Sequence, residues 1–269
     1  MAVWSQTPEQ AAELHAVADR LADAAGQAAL RHFRQRDIGL ENKDRDGFDP
    51  VTRADREAEA AMRALLAAAR PDDGILGEEE GAQTGRSGLT WVLDPIDGTR
   101  AFVAGAVSWG VLIALDAGDG PVMGLIDQPF TGERFRGGLG RAEHSHNGTT
   151  SPLGVRPCPD LAQATLMTTF PEVGTLAERA RFDAVKARCR LTRYGLDCYA
   201  YALLALGQVD LVIEAGLAPY DIQAPIAVVE AAGGRITDWS GRPAHRGGRA
   251  VAAGDPRVHA QALEILAQI

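Results

Sequence analysis

The sequence predicts a mixed α/β fold built in layers. Three observations carry that expectation. Helical and strand-like stretches are interleaved along the chain; some links between them are hairpins and others crossovers; and no internal repeat or low-complexity tract interrupts the pattern. The 269 residues suit one large domain or two fused lobes.

The elements follow in order. Thr7-Pro8-Glu9-Gln10 reads as a helix start, with Thr as N-cap, Pro at the first helical position and Gln at the third. Leu14, Val17, Leu21, Ala25, Ala28 and Phe33 then recur at helical spacing. The polar "ENKDRDGFDPVTRAD" (41–55) predicts a loop or short hairpin, with a second helix after Asp55 that stops near Pro71. Ile75-Leu76 and Trp91-Val92-Leu93 read as short strands leading into Glu78-Glu79-Glu80 and Asp94. "VSWGVLIALD" (107–116), "PVMGLID" (121–127) and "ERFRGG" (133–138) read as consecutive antiparallel strands with tight turns.

"EHSHNGTTSP" (143–152) is the most polar stretch after those strands. It is the expected boundary between an N-terminal lobe of about 1–147 and a C-terminal lobe of about 148–269, together a single unit. In the second half, strands are expected at 165–169, 191–194, 210–214, 235–238 and 250–253. Helices are expected at 176–189, 197–207, 221–232 and 256–268.

Composition narrows the function. A hydrophobic fraction of 46% and a charged fraction of 23% describe an ordinary globular chain. The net charge of −9 argues against a surface that coats nucleic acid, and an acidic protein needs metal ions or helix N-termini to hold an anion. No basic segment followed by an apolar core opens the chain, and no run approaches the ~18 apolar residues of a membrane span. Cys158, Cys189 and Cys198 lack C-x-x-C spacing, so they read as reduced thiols and a cytoplasmic location is expected.

The chemistry concentrates in "WVLDPIDGTRAFVAG" (91–105). Asp94 ends an apolar strand, Pro95 fixes a turn without donating an N–H, Gly98 permits an unusual backbone angle, and Thr99 can begin a helix whose free N–H groups bind an anion. Two carboxylates facing one point beside such donors can hold a hard divalent cation and a phosphate together. A capped Asp-Gly turn is the plainer alternative. "GEEEG" (77–81) also ends an apolar strand, and a solvated acidic turn is the commoner fate of three glutamates. Asp221 opens an apolar helix after Pro219-Tyr220, where an N-cap would explain it. His144-x-His146 lies in what reads as a polar loop with no third ligand, so no metal is expected there. The tyrosines 194, 199, 201 and 220 read as core or pocket wall.

Taken together, "DPIDGT", the upstream "GEE", "DPVTRAD" (49–55) and "PYDI…EAAGG…TDWSG" resemble the inositol monophosphatase family of magnesium-dependent phosphatases, in family order over roughly residues 41–241. The resemblance implies a layered αβαβα sandwich of two lobes, a homodimer, and two or three Mg2+ per site. It implies that Glu78, Asp94, the Ile96 carbonyl and Thr99 surround a first metal, that Asp94, Asp97 and Asp221 hold the others, and that Gly98 and Thr99 meet the phosphate. It further implies that Asp55 and Thr99, with Glu78, orient and activate the attacking water.

Within the family, "RYGLDCYAYALLA", the Pro219-Tyr220 that precedes Asp221, and "FVAGAVSWGVLIALD" resemble the histidinol-phosphatase branch. The expected substrate is therefore histidinol phosphate, a small phosphate ester. Inositol 1-phosphate or a broader set of sugar phosphates and nucleoside bisphosphates is the alternative, and a catalytically silent metal-binding homologue an alternative of another class. Asp197, Glu214 and Arg193 are the expected substrate contacts, since carboxylates can pair with an ammonium or an imidazole. For Asp197 an N-cap of the 197–207 helix is the competing role.

Overall fold

The computed structural model describes residues 6–42 and 50–267. The tip of the 41–55 segment, residues 43–49 with the Asp49 of "DPVTRAD", lies outside the described residues, as do 1–5 and 268–269.

The chain opens with α1 (Pro8–His32), whose first turn is closed by the expected capping box. Gln10 N donates to Thr7 Oγ1 at 3.3 Å, and Thr7 N donates to Gln10 Oε1 at 2.9 Å. β1 (Glu41–Asn42) and β2 (Pro50–Val51) pair antiparallel, the second of the two forms expected of this stretch, loop or short hairpin. α2 (Arg53–Ala69) begins before Asp55 rather than after it. Thr52 is the N-cap, and Asp55 is the third helical residue, closing a second capping box.

Next come β3 (Gly74–Gly77), β4 (Gly81–Gln83), β5 (Thr90–Asp97) and the six-residue α3 (Thr99–Ala104). β6 (Gly110–Asp116), β7 (Pro121–Gln128) and β8 (Glu133–Gly138) form the expected meander. β6 starts at Gly110 rather than 107. Trp109 lends its carbonyl to Gln128 Nε2 at 3.0 Å, and Ser108 turns its hydroxyl to Asp197.

The polar stretch 143–152 is a hairpin rather than a loop. β9 (Arg141–His146) and β10 (Thr149–Pro152) continue the same sheet as a hairpin, so His144 and His146 sit on a strand. The eight strands run in the order β10-β9-β8-β7-β6-β5-β3-β4.

The chain then crosses to a second sheet. β11 (Thr165–Thr168), α4 (Leu176–Lys186), β12 (Leu191–Tyr194), α5 (Tyr199–Ala205), β13 (Leu211–Leu217), α6 (Pro219–Ala231), β14 (Arg235–Thr237), β15 (Gly248–Ala253) and α7 (Pro256–Leu266) follow. The five strands run β12-β11-β13-β15-β14.

Strand alternation sorts the core into layers. On β5 and β6, Trp91, Leu93, Val111, Ile113 and Leu115 face α1 and α2, while Val92, Leu112 and Ala114 face α5 and α6. On the second sheet, Val212, Ala250 and Ala252 face α5 and α6, while Leu211, Ile213, Val251 and Ala253 face α4 and α7. The result is the αβαβα sandwich. α6 lies between two sheets, which is why its sequence from Ile222 to Val229 is apolar but for Gln223, whose amide donates to the His245 carbonyl at 3.1 Å. Its close approach to the first sheet needs Gly124 and Gly137, where a Cβ would collide with the backbone of Ala224 and of Ala227–Val228.

Candidate active site

Two features of β5 aim its aspartates at one point. Alternation places Asp94 in phase with Val92, on the face covered by α6. Unbroken alternation would send Asp97 to the opposite face. The β5–β6 register breaks between them: Asp94 pairs with Leu112 and Asp97 with Gly110, so Pro95 and Ile96 stand opposite the single residue Val111. This one-residue bulge returns Asp97 to the Asp94 side, and Pro95 suits it because a bulged position needs no ladder donor.

The third carboxylate comes from the N-terminal turn of α6. Asp221 is the third residue of that helix rather than its cap, and its Oδ2 accepts Ala218 N at 2.7 Å. Asp94, Asp97 and Asp221 each offer an oxygen within 4.8 Å of the others. The parallel register of β3 on β5, Gly77 opposite Leu93, brings Glu78 beside Asp94, and the two carboxyls share a hydrogen bond.

Burial and crowding make this cluster costly in its charged form. Burial first, then the fields of Glu78, Asp97 and Asp221, push the Asp94 carboxyl well above the usual carboxylate range. Burial and then Asp197 and Asp221 do the same to Asp97, and burial raises Asp221 to about 6. A divalent cation among them offsets that cost. The donors are all oxygens, the set that suits magnesium rather than zinc.

A second group adjoins the triad. Asp55, buried at the start of α2, accepts Thr52 N at 2.8 Å and Thr52 Oγ1 at 2.6 Å on Oδ2. Its Oδ1 faces Thr99 Oγ1 at 3.4 Å, and the same Thr99 hydroxyl lies 3.1 Å from the Ile96 carbonyl. Burial raises Asp55 to about 6. Gly98, at φ +82°, turns the chain into α3, whose first N–H groups have no preceding turn to bond. A Cβ there would stand 2.8 Å from Asp197 Cγ, so glycine is required both by the angle and by the contact.

The residues expected to meet the substrate divide. Asp197 does not cap α5: the cap is Cys198, with no side-chain bond, whose backbone N–H goes to Asp97 Oδ2 at 2.6 Å. Asp197 instead accepts Ser108 Oγ at 3.0 Å, beside Gly98. Glu214 is in phase with Val212 on β13 and so points into the middle layer. It accepts Thr169 N at 2.7 Å and Thr169 Oγ1 at 3.0 Å, and burial raises it to about 7. Arg193 is exposed on the edge strand β12, and no described contact joins it to the carboxylates.

Sequence reasoning missed Glu59, which is fully buried. Its oxygens accept Glu79 N at 2.8 Å and Glu80 N at 3.0 Å and an N–H from Arg63, fixing the turn that carries Glu78. Its signal was present: Glu59 falls four residues after Asp55, on the helix face of Ala58, Met62 and Leu66. Arg100 was also passed over. Its charge acts on Asp197, and its guanidinium lies 4.9 Å from the ring centroid of Phe170.

Known proteins are similar to this chain over most of its length. A model of the inositol monophosphatase family matches residues 10–269. A bifunctional phosphatase IMPL2, chloroplastic, of Arabidopsis thaliana is 43% identical, covering 93% of this chain and 74% of that protein. A histidinol-phosphatase of Streptomyces coelicolor is 35% identical, covering 92% and 94%. A solved structure of an inositol monophosphatase from Zymomonas mobilis superposes with a TM-score of 0.82 at 42% identity, covering 93% and 96%. Among the described residues, no helix is long and apolar enough to cross a membrane.

Proposed function

The chain belongs to the inositol monophosphatase family and is a phosphatase, and from that premise we propose that it hydrolyses L-histidinol phosphate to L-histidinol and phosphate, a step of histidine biosynthesis. The observation that carries the substrate is the pair Asp197 and Glu214. Glu214 is buried and Asp197 half-buried; both lie outside the triad and can pair with a cationic leaving group. The relatives named for histidinol phosphate support the reading.

In this reading Asp94, Asp97 and Asp221, with Glu78 and the Ile96 carbonyl, hold two or three magnesium ions. Such ions neutralise phosphate charge, lower the pKa of a bound water and stabilise a departing alkoxide. The chain's own groups do the rest. Asp55, poised near pH 6, takes the proton of the attacking water, and the Thr99 hydroxyl steers it. The N–H groups of Gly98 and Thr99 bind phosphate oxygens. Attack in line on phosphorus forms the new P–O bond as the bond to the leaving oxygen breaks; that oxygen takes up a proton from solvent water, and Asp55 returns its proton to solvent. Arg193, at the C-terminal end of an edge strand, is a further proposed contact. A cytoplasmic homodimer is the setting proposed for this activity, by likeness to the family.

Inositol 1-phosphate is the second reading. The Zymomonas mobilis likeness favours it, and its hydroxyls can also donate to Glu214 and Asp197. The test is Glu214→Gln and Asp197→Asn. Each removes a charge-assisted hydrogen bond of ~1.5–3 kcal/mol, roughly ten- to hundred-fold in kcat/KM for histidinol phosphate. p-Nitrophenyl phosphate, whose leaving group carries no cation, should lose only a few-fold (an order-of-magnitude expectation). Equal losses on both esters would assign these carboxylates to the scaffold and favour the inositol reading.

A further inference from the structure

Asp197 carries a backbone that a side chain does not favour. Its φ is +45°, in the left-handed region, where a Cβ is crowded, though Asp and Asn tolerate it best. A residue stays there when its surroundings hold it. Three hydrogen bonds do so here, and all come from the first sheet or the approach to it. Ser108, just before β6, donates its hydroxyl to Asp197 Oδ2 at 3.0 Å. Asp97, at the end of β5, accepts Cys198 N on Oδ2 at 2.6 Å. Glu133, at the start of β8, accepts the Tyr199 hydroxyl on Oε2 at 2.6 Å. The first two ties use groups already placed in the site; the third belongs to no part of the carboxylate triad. Both oxygens of Glu133 are engaged, since Thr131 Oγ1 also donates to Oε2 at 3.0 Å and His144 Nε2 lies 3.2 Å from Oε1. The carboxylate is therefore a fixed post for the phenol. The ring of Tyr199 meets Phe135 edge-on, with centroids 6.2 Å apart, a contact that does not involve the hydroxyl.

We propose that the Tyr199–Glu133 pair is a clasp that holds the Asp197 turn against the first sheet, which makes Tyr199 and Glu133 positioning residues for the leaving-group end of the site. This rests on the histidinol-phosphate reading, in which Asp197 meets a cationic leaving group. The turn stands where its direction matters. A Cβ on Gly98 would lie 2.8 Å from Asp197 Cγ, so the carboxylate rests against the turn proposed to bind phosphate. α5 begins at Tyr199, two residues after Asp197, and the phenol ties that helix start to β8. An ammonium or imidazolium offers N–H donors and no acceptor, and its bond to a carboxylate weakens steeply as the angle departs from linear. An ester whose leaving group carries no cation makes no such bond and is indifferent to the clasp.

The experiment compares wild type, Tyr199→Phe, Asp197→Asn and the double variant, with magnesium, on histidinol phosphate, inositol 1-phosphate and p-nitrophenyl phosphate. Thermal unfolding and the magnesium concentration for half-maximal rate are measured for each protein. Tyr199→Phe keeps the ring and removes the tie. It should lower kcat/KM for histidinol phosphate about tenfold, mostly through KM, and change p-nitrophenyl phosphate less than about threefold. The magnesium requirement should change less than about twofold. The double variant should lose no more than Asp197→Asn alone, because the clasp acts through that carboxylate. Glu133→Ala breaks the same bond from the other side and should reproduce the selective loss; p-nitrophenyl phosphate corrects for any unfolded fraction. Equal losses on histidinol phosphate and p-nitrophenyl phosphate would make the pair part of the scaffold. A raised magnesium requirement would make it act through Asp97, and additive losses in the double variant would make it act independently of Asp197. Each of these overturns the inference. If wild type itself prefers inositol 1-phosphate, the histidinol-phosphate reading fails and this inference with it. A wild-type preference for histidinol phosphate that Tyr199→Phe leaves intact defeats the inference alone.

Discussion

Asp94 is the residue on which most of the site converges. It adjoins Glu78, Asp97 and Asp221, and its Oδ1 also accepts Ile96 N at 3.0 Å, so the bulge and the carboxylate hold each other in place. Asp94→Asn keeps that volume but removes the central charge. Metal affinity and turnover should both fall by orders of magnitude, measured as rate against magnesium concentration; near wild-type turnover at low magnesium would sink the assignment. Asp55 makes a different prediction. Its contacts run to Thr52 and Thr99 rather than to the triad, so Asp55→Asn should cut kcat strongly and leave KM within a few-fold (order of magnitude). A change confined to KM would reduce Asp55 to its capping role. The acidic residues of the motifs were legible because carboxylates at strand ends and helix starts are costly without a partner. The position of Glu59 on the buried face of α2 was legible too, but not its role, which is to receive the backbone of a neighbouring turn. The competing role of Asp197 as a helix cap was plausible on spacing, yet its carboxyl turns instead to Ser108.

At the scale of elements, the decisive feature is one extra residue in β5. "DPID" shows a proline and two aspartates, but the direction of the second aspartate depends on the register with β6, which no local pattern contains. α6 was readable as buried because it lacks a polar face. The hairpin β9–β10 was not readable: its strands are half-buried to exposed, so they carry no apolar alternation, and polarity there resembled a linker. α3 and β4 are too short, at six and three residues, to show a period. The packing of α6 gives the prediction at this scale. Gly137→Ala puts a methyl against the backbone of Ala227 and Val228, which cannot rotate away as a side chain could. A cost of about 1–3 kcal/mol is expected, seen as a Tm several degrees lower. An unchanged Tm would show that α6 can shift away from the sheet without loss.

For the whole molecule, the two sheets and the helix layer between them form a frame that collects charge at one place. β5 of the first sheet supplies Asp94 and Asp97, and the turn after β3 supplies Glu78; α6 supplies Asp221; β13 of the second sheet supplies Glu214; and the turn before α5 supplies Asp197. The layered α/β class follows from the interleaving of elements, and the family resemblance extends it to αβαβα. Which carboxylates end within reach of one another came from the family resemblance and not from spacing, since residues 94 and 221 lie on elements far apart in the chain. The net charge of −9 fits the proposed arrangement, in which cations and backbone donors at one point, rather than a basic surface, would receive the phosphate. The most direct test is kcat/KM measured side by side, with magnesium, for histidinol phosphate, inositol 1-phosphate and an adenosine bisphosphate, each repeated with a chelator. The account predicts the highest value for histidinol phosphate, by roughly tenfold or more, and loss of all activity on chelation. Equal or better hydrolysis of inositol 1-phosphate, or activity that survives the chelator, would contradict it.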